Sequence, residues 1–489
     1  MERLDIEDDR FWKKLLVLGI LLNLIACFTS DLGLDTHVKM AVDEDGALPW
    51  GDLRPESPGQ SDAFDGGDRV VLPLYEMSEA GIKAMALVTF LGLIVCLYRW
   101  SGVRSATVLS LSPAMIFSVA RGYEEVYLAA FAVLAMLLFS GVLSNKNRPL
   151  QCLSGGVFFM GMAYSKGFTG AQGVLLGAVL TGTAALLWHQ LQNSGRKGTA
   201  WMARPHIVGM GVGLAVSMLM VFFGLLEINP TLAIIGQQPL RYASALAFSI
   251  LDVVVIFTLF GMVMWPFVRS TWCVLKEVQD SKLAMITGYI SGILVAVVFY
   301  VAALWTYEAS IWGAEWPGVV WTMGNNGRYI TMLFLPFIVL MHYVRKHNDV
   351  PSLDSPQSKV KATVLTVLLL LPLSLLASVH GQTMWTDEAA ETMELGQDEH
   401  FLFVSEDTLG MHWLYTFYAP LDAEENNITG HWRSTSTAWE ADLNASLSHV
   451  DTIVVSPEIK YTPIGWNVKT SGESDFPNGK GEWRVLTRS

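Results

Sequence analysis

The sequence predicts an all-α polytopic membrane protein of about 11 transmembrane helices, N-terminus inside and C-terminus outside, with a small extracytoplasmic α/β domain at its end. Three observations predict it: repeated long apolar runs, basic residues confined to every second connection between them, and a polar, acidic tail with strand-like segments. Charged residues make up 16% of the 489 and mean hydropathy is +0.39. Soluble domains carry roughly a quarter charged residues.

The apolar runs fall at 14–29, 81–98, 105–120, 126–144, 150–165, 170–189, 207–226, 243–267, 284–304, 329–344 and 362–380. Each approaches the roughly 20 residues that carry a helix across about 30 Å of hydrocarbon. None alternates polar and apolar residues as a barrel strand must, so helices are the reading. The leader LDIEDDR is acidic, unlike the n-region of a signal peptide, so the first run is read as a retained span after a cytoplasmic segment 1–13.

With the N-terminus inside, the cytoplasmic connections collect 18 of the 32 Lys and Arg residues, among them Arg10, Lys13, Arg99, Arg104, Lys146, Arg269 and Lys346. The positive-inside rule favours that orientation over its mirror image. The net charge of −13 is uneven. Segment 30–81 holds 12 acids against 3 bases, and 381–489 holds 18 against 6, leaving the remainder basic. Such acidity on the exposed parts excludes nucleic acid as a partner. Neither external region contains a cysteine, so there is no disulfide framework, which fits a prokaryotic or archaeal surface protein.

Segment 14–380 is thus a membrane domain whose first external loop, 30–81, is rich in Asp, Gly and Pro. In the tail 381–489, HFLFVSED (400–407), DTIVVSPEI (451–459) and GEWRVLTR (481–488) read as strands, and STAWEADLNASL (436–447) as an amphipathic helix. The tail shows no phosphate loop and no metal cluster, so recognition or structure is its expected role. Asn427 and Asn444 begin glycosylation acceptor triplets.

Candidate chemistry gathers at the outer edge of the spans. Arg121, Lys166, Arg241 and Arg328 stand one per outer turn, with Lys83 at the outer start of the second span. Cations there run against the orientation bias. A set of them at headgroup depth suits a lipid-linked phosphate, Arg by bidentate hydrogen bonds and Lys as a point charge. The bland alternative is snorkelling or pairing with acids such as Glu124 and Glu125. Directly after the first span comes Ser30-Asp31-Leu32-Gly33-Leu34-Asp35-Thr36-His37. Four residues apart, Asp31 and Asp35 would share a face of a helical continuation. Partial desolvation near the membrane surface would make either a usable base. His37 with the aspartates could instead hold a divalent metal, and no other cofactor is indicated.

Ser112-Pro113 through Arg121-Gly122-Tyr123-Glu124-Glu125 resembles the N-P…R-G-N-x-E segment of dolichyl-phosphate-mannose-dependent mannosyltransferases, with Ser112 and Tyr123 in place of Asn. Gly327-Arg328-Tyr329 followed by Pro336 is similar to the R-Y…P segment of the protein O-mannosyltransferase and aminoarabinose-transferase branches. With its acidic first loop and external tail, the whole chain resembles the GT-C superfamily of polyprenyl-phosphate-sugar-dependent glycosyltransferases. The resemblance implies inverting transfer of a mannose-like hexose from a polyprenyl-phosphate donor to an extracytoplasmic glycan, lipid or protein acceptor, in the cell membrane. It implies Asp31 or Asp35 as the group that orients and deprotonates the acceptor. It makes Arg121, Lys166, Arg241 and Arg328 the donor-phosphate contacts, with His37, Glu124, Glu125 and Tyr329 nearby. Two other classes compete. A transporter or lipid flippase would place polar or broken helices at the midplane in paired repeats, and no repeat is visible. A non-catalytic receptor or assembly protein would tolerate loss of Asp31, Asp35 and Arg328.

Overall fold

The computed structural model describes residues 9–41, 77–131, 133–134, 205–222, 231–254, 291–292, 294–306, 356–379, 384–405, 410–423, 425–474 and 481–489. The chain divides into two compact units. One comprises Met1–Ala26, Ala86–Val119 and Glu124–Val379; the other comprises Cys27–Met85, Ala120–Tyr123 and His380–Ser489.

The first unit is helical. Helix α1 runs Asp9–Thr29, α2, which belongs to the second unit, runs Leu34–Ala41, and α3 runs Glu79–Trp100. Among the described residues, α1 and α3 are each long and apolar enough to cross a membrane. Both leave apolar side chains such as Val17, Phe28, Val88 and Val95 on the surface, as helices facing lipid do. The expected span 105–120 is not one straight helix. It is α4 (Val103–Ser110) and α5 (Pro113–Ala120), bent by 62° at the break. Pro113 cannot donate a backbone hydrogen bond and therefore opens α5, where the missing donor costs nothing. The carbonyl of Leu111 freed at the break accepts from the Ser374 hydroxyl at 2.6 Å. That hydroxyl comes from the long helix α7 (Pro356–Val379), which lies further along the chain than α6 (Pro205–Phe222) and the short helix Thr231–Gln237. Counted as one span, the bent pair raises the number of candidate crossings among the described residues to three. The expected spans at 150–165, 170–189 and 329–344 lie outside the described residues.

Close backbone approach holds α1 against α4. A methyl group on Gly19 would fall 2.3 Å from Ser110 Oγ, so only Gly permits the contact. Asn23 then donates from its side-chain amide to the carbonyls of Gly19 (2.8 Å) and Ser110 (3.0 Å).

The second unit contains a five-stranded mixed sheet in the order β2-β1-β3-β5-β4. Its strands are β1 His400–Ser405, β2 Thr429–Ser434, β3 Thr452–Val455, β4 Trp466–Ser474 and β5 Gly481–Arg488. β1 pairs in parallel with β2 and β3, and β5 pairs antiparallel with β3 and β4. Alternation along β1 divides its residues between two cores. Phe401 and Phe403 face an aromatic layer of Trp385, Phe417 and neighbours, with Trp385 and Trp483 stacked at 6.1 Å. Leu402 and Val404 join Ile453, Val455, Trp439, Leu443 and Leu447 on the other face. Both faces are covered, which is why β1 and β3 read as unbroken apolar runs.

Helix α8 (Trp385–Met393) packs on β4 and β5, and α9 (Gly410–Tyr415) packs on β2 and on α2. Glu394 closes α8 in the left-handed conformation at φ 52. Lys469 donates to the freed Met393 carbonyl (3.1 Å) and to the Glu394 carboxylate (2.8 Å), which offsets the strain of a non-glycine cap. The helix expected over 436–447 is shorter: α10 spans Trp439–Asp442 and turns follow it. Asp442 at its end is taken up by the buried Arg433 of β2, at 2.7 Å. β2 and β4 were not legible as strands. The polar run TGHWRS of β2 and the lysine-bearing edge WNVKTSGES of β4 carry little apolar signal.

Candidate functional site

The site forms within the second unit, where residues 30–37 meet the turn at 121–123 and the start of α8. Residues Ser30 to Gly33 do not continue α1; α2 begins only at Leu34. Asp31 therefore stands in a non-helical segment ahead of the helix that contains Asp35. The two do not share a helical face, contrary to the expectation from their spacing. The Asp35 side chain lies outside the described residues.

Glycine explains how the loop docks. The Gly33 N–H donates to the Arg121 carbonyl at 3.1 Å, and Thr36 Oγ1 donates to the same carbonyl at 3.1 Å. A methyl group on Gly33 would lie 2.3 Å from the Tyr123 ring. Gly122 has φ +65, and a methyl group there would lie 2.7 Å from Ile82. Both glycines are thus required, one by close approach and one by its backbone conformation.

Asp31 is fixed from the other side. Its Oδ2 accepts the Met384 N–H at 2.6 Å, at the start of α8. Three residues on, Asp387 occupies the first turn of α8 and shares a hydrogen bond with Asp31. Burial holds the Asp387 carboxyl far above the usual carboxylate range. The negative charges of Asp31 and Glu79 and the hydrogen bond with Asp31 push it further, while Lys83 opposes them. At neutral pH Asp387 is a neutral acid. Its Oδ1 is buried with no protein partner, as is Ser30 Oγ. Lys83, one turn into α3, donates to the Ser30 carbonyl at 2.7 Å.

His37 is fully buried, and neither ring nitrogen has a hydrogen-bond partner. Glu79 approaches its Nε2 only to 3.9 Å. Burial, and then the charge of Lys83, push the His37 imidazole down to about 4, so it is neutral at physiological pH. Unsatisfied buried donors and acceptors are uncommon in folded proteins. Four such atoms, on Ser30, His37 and Asp387, in the second unit are the features of a site that completes its hydrogen bonds with a ligand.

The remaining expected residues belong to one unit or the other. Arg121 is fully buried at the turn and supplies its carbonyl to the loop. Glu125 is buried and Glu124 half-buried at the start of the following helix, in the first unit. Arg241, also in the first unit, donates from Nη1 to Gln238 at 2.9 Å. Lys166, Arg328 and Tyr329 lie outside the described residues. Asn427 and Asn444 are both exposed in the second unit. The sequence reading did not find Asp387 or Glu79. Asp387 is 356 positions from Asp31, and an acid in a first helical turn is ordinarily a dipole effect. The expected metal set of His37 with the aspartates includes the Asp35 side chain, which lies outside the described residues. Among the described residues, the group that brings three donor atoms within 4.8 Å of one another is His400, His431 and His449, in a tail read as having no metal cluster.

No family model matches the chain, and no curated protein matches it. Among solved structures it is similar to the oligosaccharyltransferase of Archaeoglobus fulgidus, at 11% identity and TM-score 0.42, over 90% of this chain and 68% of that one. It is also similar to ArnT from Cupriavidus metallidurans in the apo state, at 11% identity and TM-score 0.35, over 98% of each chain. The undecaprenyl-phosphate-bound form of ArnT gives 11% identity and TM-score 0.32 over 97% of each.

Proposed function

We propose that this protein is an integral-membrane inverting glycosyltransferase that moves a hexose from a polyprenyl-phosphate donor to an extracytoplasmic acceptor. The observation that carries the reading is the Asp31–Asp387 carboxyl pair, directly after an apolar helix and beside Lys83 and buried groups that lack protein partners. A carboxylate has about four lone-pair positions. The Met384 N–H and Asp387 occupy two on Asp31, which leaves room for an acceptor hydroxyl.

In this mechanism Asp31 accepts the proton of the acceptor hydroxyl as its oxygen bonds to the anomeric carbon. The bond from that carbon to the phosphate oxygen breaks on the opposite face, through an oxocarbenium-like state, and polyprenyl phosphate leaves with both electrons. Asp387 keeps its proton and holds Asp31 in orientation. Lys83, Lys166, Arg241 and Arg328 are the candidates to neutralise the departing phosphate, with Arg121 supporting the loop; loss of one such contact lowers rate by about a hundredfold. Asp35 remains the second candidate base.

The test uses purified full-length protein, radiolabelled polyprenyl-phosphate hexoses and membrane extract. Wild type should consume donor, and Asp31→Asn should lower turnover by about 10²–10⁴-fold. Loss with Asp35→Asn but not with Asp31→Asn would move the base to α2. No turnover with any donor would overturn the transfer reading in favour of transport or a non-catalytic role.

A further inference from the structure

The sheet domain contains a second set of chemical groups that the transfer reading does not use. His400 opens β1, His431 lies in β2, and His449 lies in the turn that leads into β3. In the parallel register Leu402 opposes His431, and His400 is two residues before Leu402, so both histidines project from one face of the sheet. The turns after α10 bring His449 back over that same face, next to the buried Val450. Residues 31 and 49 positions apart in sequence thereby meet at the amino ends of three adjacent parallel strands.

We infer that His400, His431 and His449 form a binding site for a divalent transition-metal ion of the zinc type. Imidazole donors select zinc, copper or nickel over magnesium and calcium. His400 Nδ1 and His431 Nε2 are 3.1 Å apart. Two nitrogens on a tetrahedral zinc at about 2.05 Å stand about 3.3 Å from each other, so this pair already has the bite of the ion. The His449 ring stands nearly perpendicular to both, at 88° to His400 and 79° to His431, with its centroid 4.7 and 5.6 Å from theirs. All three donor atoms lie within 4.8 Å of one another. His449 is exposed and can re-aim to close that gap, whereas His431 is buried and fixed. Three protein ligands leave one position of a tetrahedron for water.

β2 is the outermost strand on its side of the sheet and pairs only with β1. The site therefore works as a clip that ties an edge strand to β1 and to the turn before β3. Ligands that α/β sheets act on usually bind at the carboxyl ends of the strands. A site at the amino ends suits structural binding better than substrate handling. The inference is independent of glycosyl transfer, since it shares no residue with the Asp31 site.

The experiment is equilibrium dialysis of the detergent-solubilised full-length protein, stripped with chelator, against Zn²⁺ alone and Co²⁺ alone. Metal content and the visible ligand-field absorption of Co²⁺ are read together. The expected result is one ion per chain, with affinity lowered at least about tenfold in His449→Gln and in His431→Gln. Hydrogen exchange along residues 429–434 should slow when Zn²⁺ is added to wild type and stay unchanged in His449→Gln. His449 is on the surface, so its substitution leaves the packed core intact and separates ligation from folding. Equal uptake by wild type and both variants, or no uptake by wild type, would overturn the site and leave a plain His400–His431 hydrogen bond.

Discussion

Asp387 and His37 are held in their neutral forms for the same reason, burial, and they respond to pH in opposite senses. The Asp387 carboxyl is raised in the folded protein, so folding retains a proton that the unfolded chain releases near pH 4. Its contribution is therefore fully present below about pH 4 and is lost progressively as pH rises from there through neutrality to the folded-state value of about 9. Asp387→Asn keeps a neutral donor in place and should flatten the loss of thermal stability between about pH 4 and pH 9 in detergent, while retaining most turnover. A pH profile identical to wild type over that range would remove Asp387 as its source. The His37 value is lowered from 6.5 to about 4. The unfolded chain then takes up the proton first, and stability falls as pH drops below about 6.5. His37→Leu should shift acid unfolding, followed by loss of soluble protein, to lower pH. A ligand-binding His37 would also lose donor affinity in that variant, which separates binding from mere burial.

Between these side chains and the whole chain stand the elements that present them, and glycines decide their fit. Gly33→Ala pushes a methyl group into the Tyr123 ring and should displace Asp31 from Met384 and Asp387. Turnover should fall by about tenfold or more, since small misplacements of a reacting group are costly. The double variant Gly33→Ala/Tyr123→Ala should recover part of it. Gly122→Ala combines a clash with Ile82 and a left-handed backbone, so no single partner substitution should rescue it. In the sheet domain, Arg433 is buried and paired with Asp442. Asp442→Ala leaves that charge without its carboxylate and should destabilise the domain by about 3 kcal/mol, read as a lower midpoint in urea. The distribution of acids and bases was readable in the sequence; this pairing across β2 and α10 was not, because the strand is polar and the helix is one turn long.

At the scale of the molecule, the sidedness read from the basic residues predicts an external sheet domain. With Cys27, Cys96, Cys152 and Cys273 replaced, a cysteine at exposed Ser446 should react with a membrane-impermeant maleimide in intact cells, and one at exposed Asp9 only after lysis. The opposite pattern would invert the topology and remove the extracytoplasmic site. Apolar run length, charge placement and strand-like runs are properties of neighbouring residues, so the helices, the buried strands β1, β3 and β5, and an acid after the first span are all visible in one dimension. The partner of that acid is not. Asp387 reaches Asp31, and three histidines reach one another, only because helices and parallel strands fold distant segments together. No local pattern encodes a contact whose two halves are distant in sequence, and it is such contacts that set the protonation of Asp387 and the grouping of the three histidines.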